Sequence, residues 1–200
     1  MKDAWHSILP LPIVTKMKAQ NPGVSIADEE KFFESIKVLD LSGSRFSVIP
    51  PFIKKMKNLI HLNLSDNYIE NVDLSRLPES LWYLNLSGNE IKEFNVETEE
   101  VPSLTTLILS ENHIEKFPMG LDKFERLATV ILKNNKIEKI GREFCIGNRV
   151  SVIDLSGNKL KDIDVAHNSF RNCSTLHINN NEFVRFPDSL LFQKNLRYVH

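Results

Sequence analysis

The sequence predicts an α/β solenoid: a stack of short parallel strands, each followed by a return along the opposite side. Three observations in its 200 residues point there. A pattern of eleven residues recurs at intervals of 22 or 23 residues. Within each copy, apolar positions alternate with polar ones. Asparagine is abundant, at 19 residues, while glycine (7) and proline (9) are scarce. A fixed period of this size marks a chain in which one supersecondary unit stacks on the next.

The copies are IKVLDLSGSRF (36–46), LIHLNLSDNYI (59–69), LWYLNLSGNEI (81–91) and LTTLILSENHI (104–114). They continue as LATVILKNNKI (127–137), VSVIDLSGNKL (150–160) and CSTLHINNNEF (173–183), and an eighth opens at Leu196 with LRYVH. Leu62-Asn63-Leu64 and Leu84-Asn85-Leu86 alternate with period two, the pattern of a strand with one buried face. Strands supplied once per unit and joined by a return run must be parallel neighbours, about 4.8 Å apart. No single unit can bury its own apolar face, so the units stack into one continuous core.

The shared pattern L-x-x-L-x-L-x-x-N-x-L resembles that of leucine-rich-repeat proteins, and the resemblance covers residues 36–200. It implies a right-handed, horseshoe-like solenoid with a parallel sheet on its concave side and an irregular, 3₁₀ or helical convex side. Seven repeats are complete and the eighth is begun. The variable halves IPPFIKKMKNL (49–59), FPMGLDKFERL (117–127) and FPDSLLFQKNL (186–196) resemble the intracellular, Ras-suppressor type of repeat. NVETEEVPSL (95–104), GREFCIGNRV (141–150) and DVAHNSFRNC (164–173) keep fewer apolar anchors. Their turns are expected to be irregular or 3₁₀.

The ninth position of each unit accounts for part of the asparagine excess. It holds Asn67, Asn89, Asn112, Asn135, Asn158 and Asn181, with Ser44 in the first unit. Here the backbone turns out of the strand and leaves amide and carbonyl groups that need partners. An asparagine side chain supplies one acceptor and two donors, so it can bridge adjacent turns. These six residues are expected to form a structural ladder.

Residues 1–35 are expected to cap the first unit, whose core edge would otherwise face water. Asp28-Glu29-Glu30 leads into Lys31-Phe32-Phe33 as an acidic first helical turn, with Asp28 or Ser25 as N-cap. Phe32, Phe33 and Ile36 would seal the core. Pro10, Pro12 and Pro22 make the preceding stretch extended or loop-like. At the other end, Leu196 and Val199 begin a core layer that His200 leaves unfinished, and continuation of the solenoid beyond it is expected.

Side chains flanking the two strand leucines, at the third and fifth positions, face the concave side. Two features rise above that background. The first is His61, Trp82, Tyr83 and Asn85, followed by Ile108 and Ile131 on the next strands. Aromatic and aliphatic groups on a rigid sheet suit a protein partner. The alternative is that Trp82 lies on the rim and the isoleucines only pack on their neighbours. The second feature is the fifth-position column Asp154, His177 and His200. A straight ladder does not converge on one point, so no metal site is assigned there.

Motifs for catalysis are missing: there is no H-E-x-x-H, G-x-S-x-G, phosphate-binding glycine loop or C-x-x-C. Cys145 and Cys173 fall where small apolar residues pack. The glycosylation patterns at Asn63 and Asn85 arise from the N-L-S of the repeat itself, and that at Asn172 stands alone. Charges balance at 25 basic against 26 acidic side chains, which argues against a nucleic-acid partner. The longest apolar run, residues 8–14, holds two prolines and falls short of the roughly 20 residues of a membrane span. Asp3, His6 and the prolines spoil it as a secretory signal and no A-x-A cleavage site follows, and two cysteines do not form a disulfide framework.

These readings converge on a cytoplasmic protein-interaction scaffold in signalling. It would have no cofactor, metal or enzymatic step, and would bind a protein through its concave face. The alternatives are a regulatory region of a larger signalling enzyme (kinase, GTPase or phosphatase) and an extracellular recognition ectodomain. Neither the partner nor the oligomeric state is written in these residues.

Overall fold

The computed structural model describes residues 29–98, 101–144 and 146–200, together with Ala19. The expected N-caps Ser25 and Asp28, the prolines at 10, 12 and 22, and Cys145 lie outside the described residues. Helix α1 (Glu29–Ser35) precedes ten short strands. They are β1 (Val38–Asp40), β2 (His61–Asn63), β3 (Tyr83–Asn85), β4 (Thr106–Ile108) and β5 (Thr129–Ile131), then β6 (Lys139–Ile140), β7 (Val152–Asp154), β8 (Asp162–Ile163), β9 (Thr175–His177) and β10 (Tyr198–Val199).

Eight of these form one parallel sheet in the order β1-β2-β3-β4-β5-β7-β9-β10. Each strand comes from the same three positions of its repeat, so the register is constant: His61 lies opposite Tyr83, Leu62 opposite Leu84, and Asn63 opposite Asn85. The central residue of each three-residue strand is buried, and its two neighbours are half-buried in all but β1, where Val38 is exposed. Leu39, Leu62, Leu84, Leu107, Val130, Ile153 and Leu176 thus line up inside the sheet, wholly excluded from solvent. Each such side chain contributes about 1.5–3 kcal/mol by leaving water.

The returns differ from unit to unit. Where the variable half carries proline and regularly spaced apolar residues, it forms 3₁₀ turns, at Pro51–Lys55, Leu121–Lys123 and Asp188–Phe192. A fourth, Leu74–Arg76, is capped by Asp73, whose carboxylate accepts from the Ser75 amide at 3.1 Å. That hydrogen bonding, led by the Ser75 hydroxyl, holds the Asp73 carboxyl below its usual range. Among the described residues of 95–104, 141–150 and 164–173 there is no helix. Instead β6 and β8 pair in parallel as a second, two-stranded sheet, which the sequence reading did not anticipate. Phe117, Phe144 and Phe170 pack in series as tilted rings, 4.8 and 4.7 Å between centroids.

Helix α1 packs on the first unit: Phe32 and Phe33 are 1% exposed, and Phe33 lies on Phe52 of the first return with ring centroids 6.4 Å apart. At the end of every complete strand the chain turns sharply at the eighth position. There Gly43, Asp66, Gly88, Glu111, Asn134, Gly157 and Asn180 all have φ between 55° and 69°. That left-handed conformation favours glycine and is tolerated by Asn and Asp, which makes Glu111 the strained member of the series.

Candidate functional site

The strand ends present two columns of polar side chains, and their partners differ. In the ninth position, the Asn67 carbonyl oxygen accepts from the amides of Ser44 (3.1 Å) and Phe46 (2.9 Å). Its two amide hydrogens are shared among the carbonyls of Leu41, Leu64 and Ser65 at 2.9–3.0 Å. The same bridge repeats down the stack. Asn112 accepts from Ile91 (3.1 Å) and donates to Leu86 (2.9 Å) and Leu109 (3.1 Å). Asn158 accepts from Ile137 (3.0 Å) and donates to Leu132 (2.9 Å) and Leu155 (3.0 Å). Asn89 and Asn135 are buried in equivalent settings, and Asn181 makes the same bonds with its side chain partly buried. Every bridge joins a turn to the preceding one. The column is fully engaged in holding units together.

The fifth position faces the concave side. Asp40, Asn63, Asn85 and Asp154 each turn a side-chain oxygen back to the amide two residues on, at 2.8, 3.0, 3.0 and 2.9 Å. Asn85 also accepts from the Ser87 hydroxyl at 2.7 Å, and Asp154 from the Ser156 hydroxyl at 2.6 Å. Such local caps are the usual work of Asx residues at a chain turn. Ile108 and Ile131, in the same position of units four and five, cannot make that bond. They lie opposite each other in the register, half-buried on the concave surface.

Beside them, the His61 and Tyr83 rings stack nearly parallel, with centroids 4.0 Å apart and planes 7° from each other. Stacked rings across adjacent strands are mutually ordered, so this pair is a rigid aromatic platform. Trp82 lies one residue outside β3 and is 50% exposed. Its carbonyl accepts from the amides of Thr105 (2.8 Å) and Thr106 (3.1 Å), which anchors the backbone at the rim of the sheet. The structure therefore brings His61, Tyr83, Asn85, Ile108 and Ile131 together on three joined strand pairs and puts Trp82 at their margin.

The Asp154 column has a different fate. The Asp154 carboxylate is engaged by Ser156, while His177 and His200 stack on each other at 4.9 Å and 15°. Among the described residues there is no group of three or more His, Cys, Asp or Glu side chains placed to hold a metal ion. Cys173 is 1% exposed in a core leucine position, and burial pushes its thiol up to about 11. Sequence reasoning did not single out the eighth-position carboxylates Asp66 and Glu111. Both are exposed where β2 and β4 end. Their departure from glycine at a tight turn was the available signal.

Residues 34–91 match the family model described as leucine rich repeat. No curated protein matches the chain in sequence. Among solved structures, it is similar to a leucine-rich-repeat protein of Leptospira interrogans, at 21% identity and a TM-score of 0.55, covering 77% of this chain and 45% of that one. It is similar to YopM, a leucine-rich effector protein from Yersinia pestis, at 21% identity and 0.61, covering 82% and 42%. It is similar to internalin C2 from Listeria monocytogenes at 19% identity and 0.55, covering 98% and 95%. The matched part spans less than half of the first two proteins. These likenesses establish the fold. Among the described residues, no helix is long and apolar enough to cross a membrane.

Proposed function

From the premise that this chain is a leucine-rich-repeat protein, we propose that it is a non-catalytic interaction scaffold that binds a protein partner on its concave face. The observation that carries the reading is the stacked His61–Tyr83 pair and the Ile108–Ile131 pair on four consecutive strands, with Asn85 opposite Ile108 and Trp82 at the edge. A rigid floor of rings and aliphatic groups offers contact area without the entropy cost of ordering flexible side chains. Residues 1–35 act as the N-terminal cap of residues 36–200 in this reading, supported by the burial of Phe32 and Phe33. A cytoplasmic signalling setting is supported by a sequence with only two cysteines and by the Ras-suppressor-like returns.

The test is affinity capture with the wild-type chain and with a Tyr83→Ala, Ile108→Glu double variant, both checked for fold by circular dichroism. The expected result is loss of the specific partner from the folded double variant. Equal recovery of that partner by both chains would sink the concave-face reading.

A further inference from the structure

We propose that the concave floor receives a cationic segment of its protein partner, one that lays arginine or lysine side chains against the aromatic rim and the carboxylates around it. This inference rests on the concave-face reading above and specifies the chemistry of the partner. The chain's net charge of −1 conceals a strong segregation. Residues 61–103 carry nine acidic side chains against two basic ones, Arg76 and Lys92, a net of −7. Residues 1–60 carry nine basic against six acidic, and residues 104–200 carry fourteen against eleven, so each flank stands at +3. Because the fold lays the sequence out one unit after another, the seven described acidic residues of this block, at 66, 70, 73, 79, 90, 93 and 97, form a band across the second and third units, which also hold His61, Trp82 and Tyr83.

On the concave side the contrast is sharper. The strand segments 60–66, 82–88 and 105–111 contain no lysine or arginine. They carry two exposed carboxylates, Asp66 and Glu111, at the ends of β2 and β4. Glu90 follows on the same rim, 2.9 Å from His113 Nε2, with its side chain still half-exposed. Glu79 precedes Trp82 by three residues on the opposite rim. Within the acidic band Arg76 is already engaged, by Asp73 at 3.0 Å and by the Ile49 carbonyl at 2.9 Å. The nearest cations in the neighbouring strand segments are Lys37, just before β1, and Lys133, just after β5. They bound the floor on either side.

A concave surface focuses the field of its charges, so carboxylates on both rims set a negative potential over the apolar floor. Arginine and lysine satisfy both parts of such a site, because their alkyl stems pack on apolar surface and their cationic ends favour ring faces and carboxylates. An acidic or phosphate-bearing partner would be repelled.

Short random peptides displayed on phage are selected against the 200-residue chain, and the synthetic winners are titrated by fluorescence anisotropy. The expected winners are rich in arginine and lysine. Their affinity should fall about tenfold for Asp66→Lys with Glu111→Lys, and should also fall as salt rises. Neutral or acidic winners that still need Tyr83 overturn the cationic inference and leave the concave-face reading standing. Winners indifferent to both Tyr83→Ala and Ile108→Glu overturn the reading and the inference together. So does a selection that enriches no peptide above the folded double variant.

Discussion

Two columns of polar side chains run side by side along the sheet, one inside the solenoid and one on its concave surface. Asparagine in the ninth position is buried and bridges two turns through both ends of its amide. Asparagine in the fifth position is half-buried and bonds to its own turn, two residues on. The same chemical group is a cross-unit tie in one place and a replaceable local cap in the other. Where the cap is absent, at Ile108 and Ile131, the turn still forms, because the interior tie at Asn112 and Asn135 remains. The concave column is therefore open to variation, and the interior one is not.

The contrast can be broken by substitution. Asn112→Ala should have the largest effect. It leaves the Ile91 amide without a partner in a dry interior and takes one of two asparagine donors from each of the Leu86 and Leu109 carbonyls. The expected loss is about 2–3 kcal/mol in urea unfolding. Asn85→Ala removes only a cap at a half-buried edge, and about 0.5–1 kcal/mol is expected. Similar losses from the two variants would abolish the distinction.

Ile108→Asn sharpens it from the other side. It would restore to Ser110 the cap that Asn85 gives Ser87, and raise stability by about 0.5 kcal/mol. Partner recovery should fall at the same time. A variant that gains stability and keeps full binding would remove Ile108 from the floor.

The smallest effect at neutral pH concerns Cys173. Burial raises its pKa from 9.0 to about 11, so the folded state favours the neutral thiol. Its contribution to stability is complete below pH 9 and is lost as pH rises from 9 towards 11. A thiol reagent at pH 8 should react with Cys173 only after unfolding. Rapid reaction of the native thiol would place it outside the core.

The solenoid, its period, its parallel strands and the buried face of each strand were legible in the sequence. Repeated units write the same local instruction many times, and a period-two alternation inside a 23-residue period admits few other packings. The separation of interior from concave positions was equally legible, since it follows from the pleat. The partners of those positions were not. That Asn67 reaches back to Leu41, that Asn85 turns to its own Ser87, and that β6 and β8 pair behind the main sheet depend on the approach of backbone segments about one unit apart in sequence. The left-handed eighth position belongs with them, because Asp66, Glu111 and the glycines share a conformation without sharing a residue type. By itself the sequence determined which side chains are buried and which face outward, for alternation and period are local properties. Only the tertiary structure decided which outward residues meet: it brought His61 onto Tyr83 and Ile108 beside Ile131.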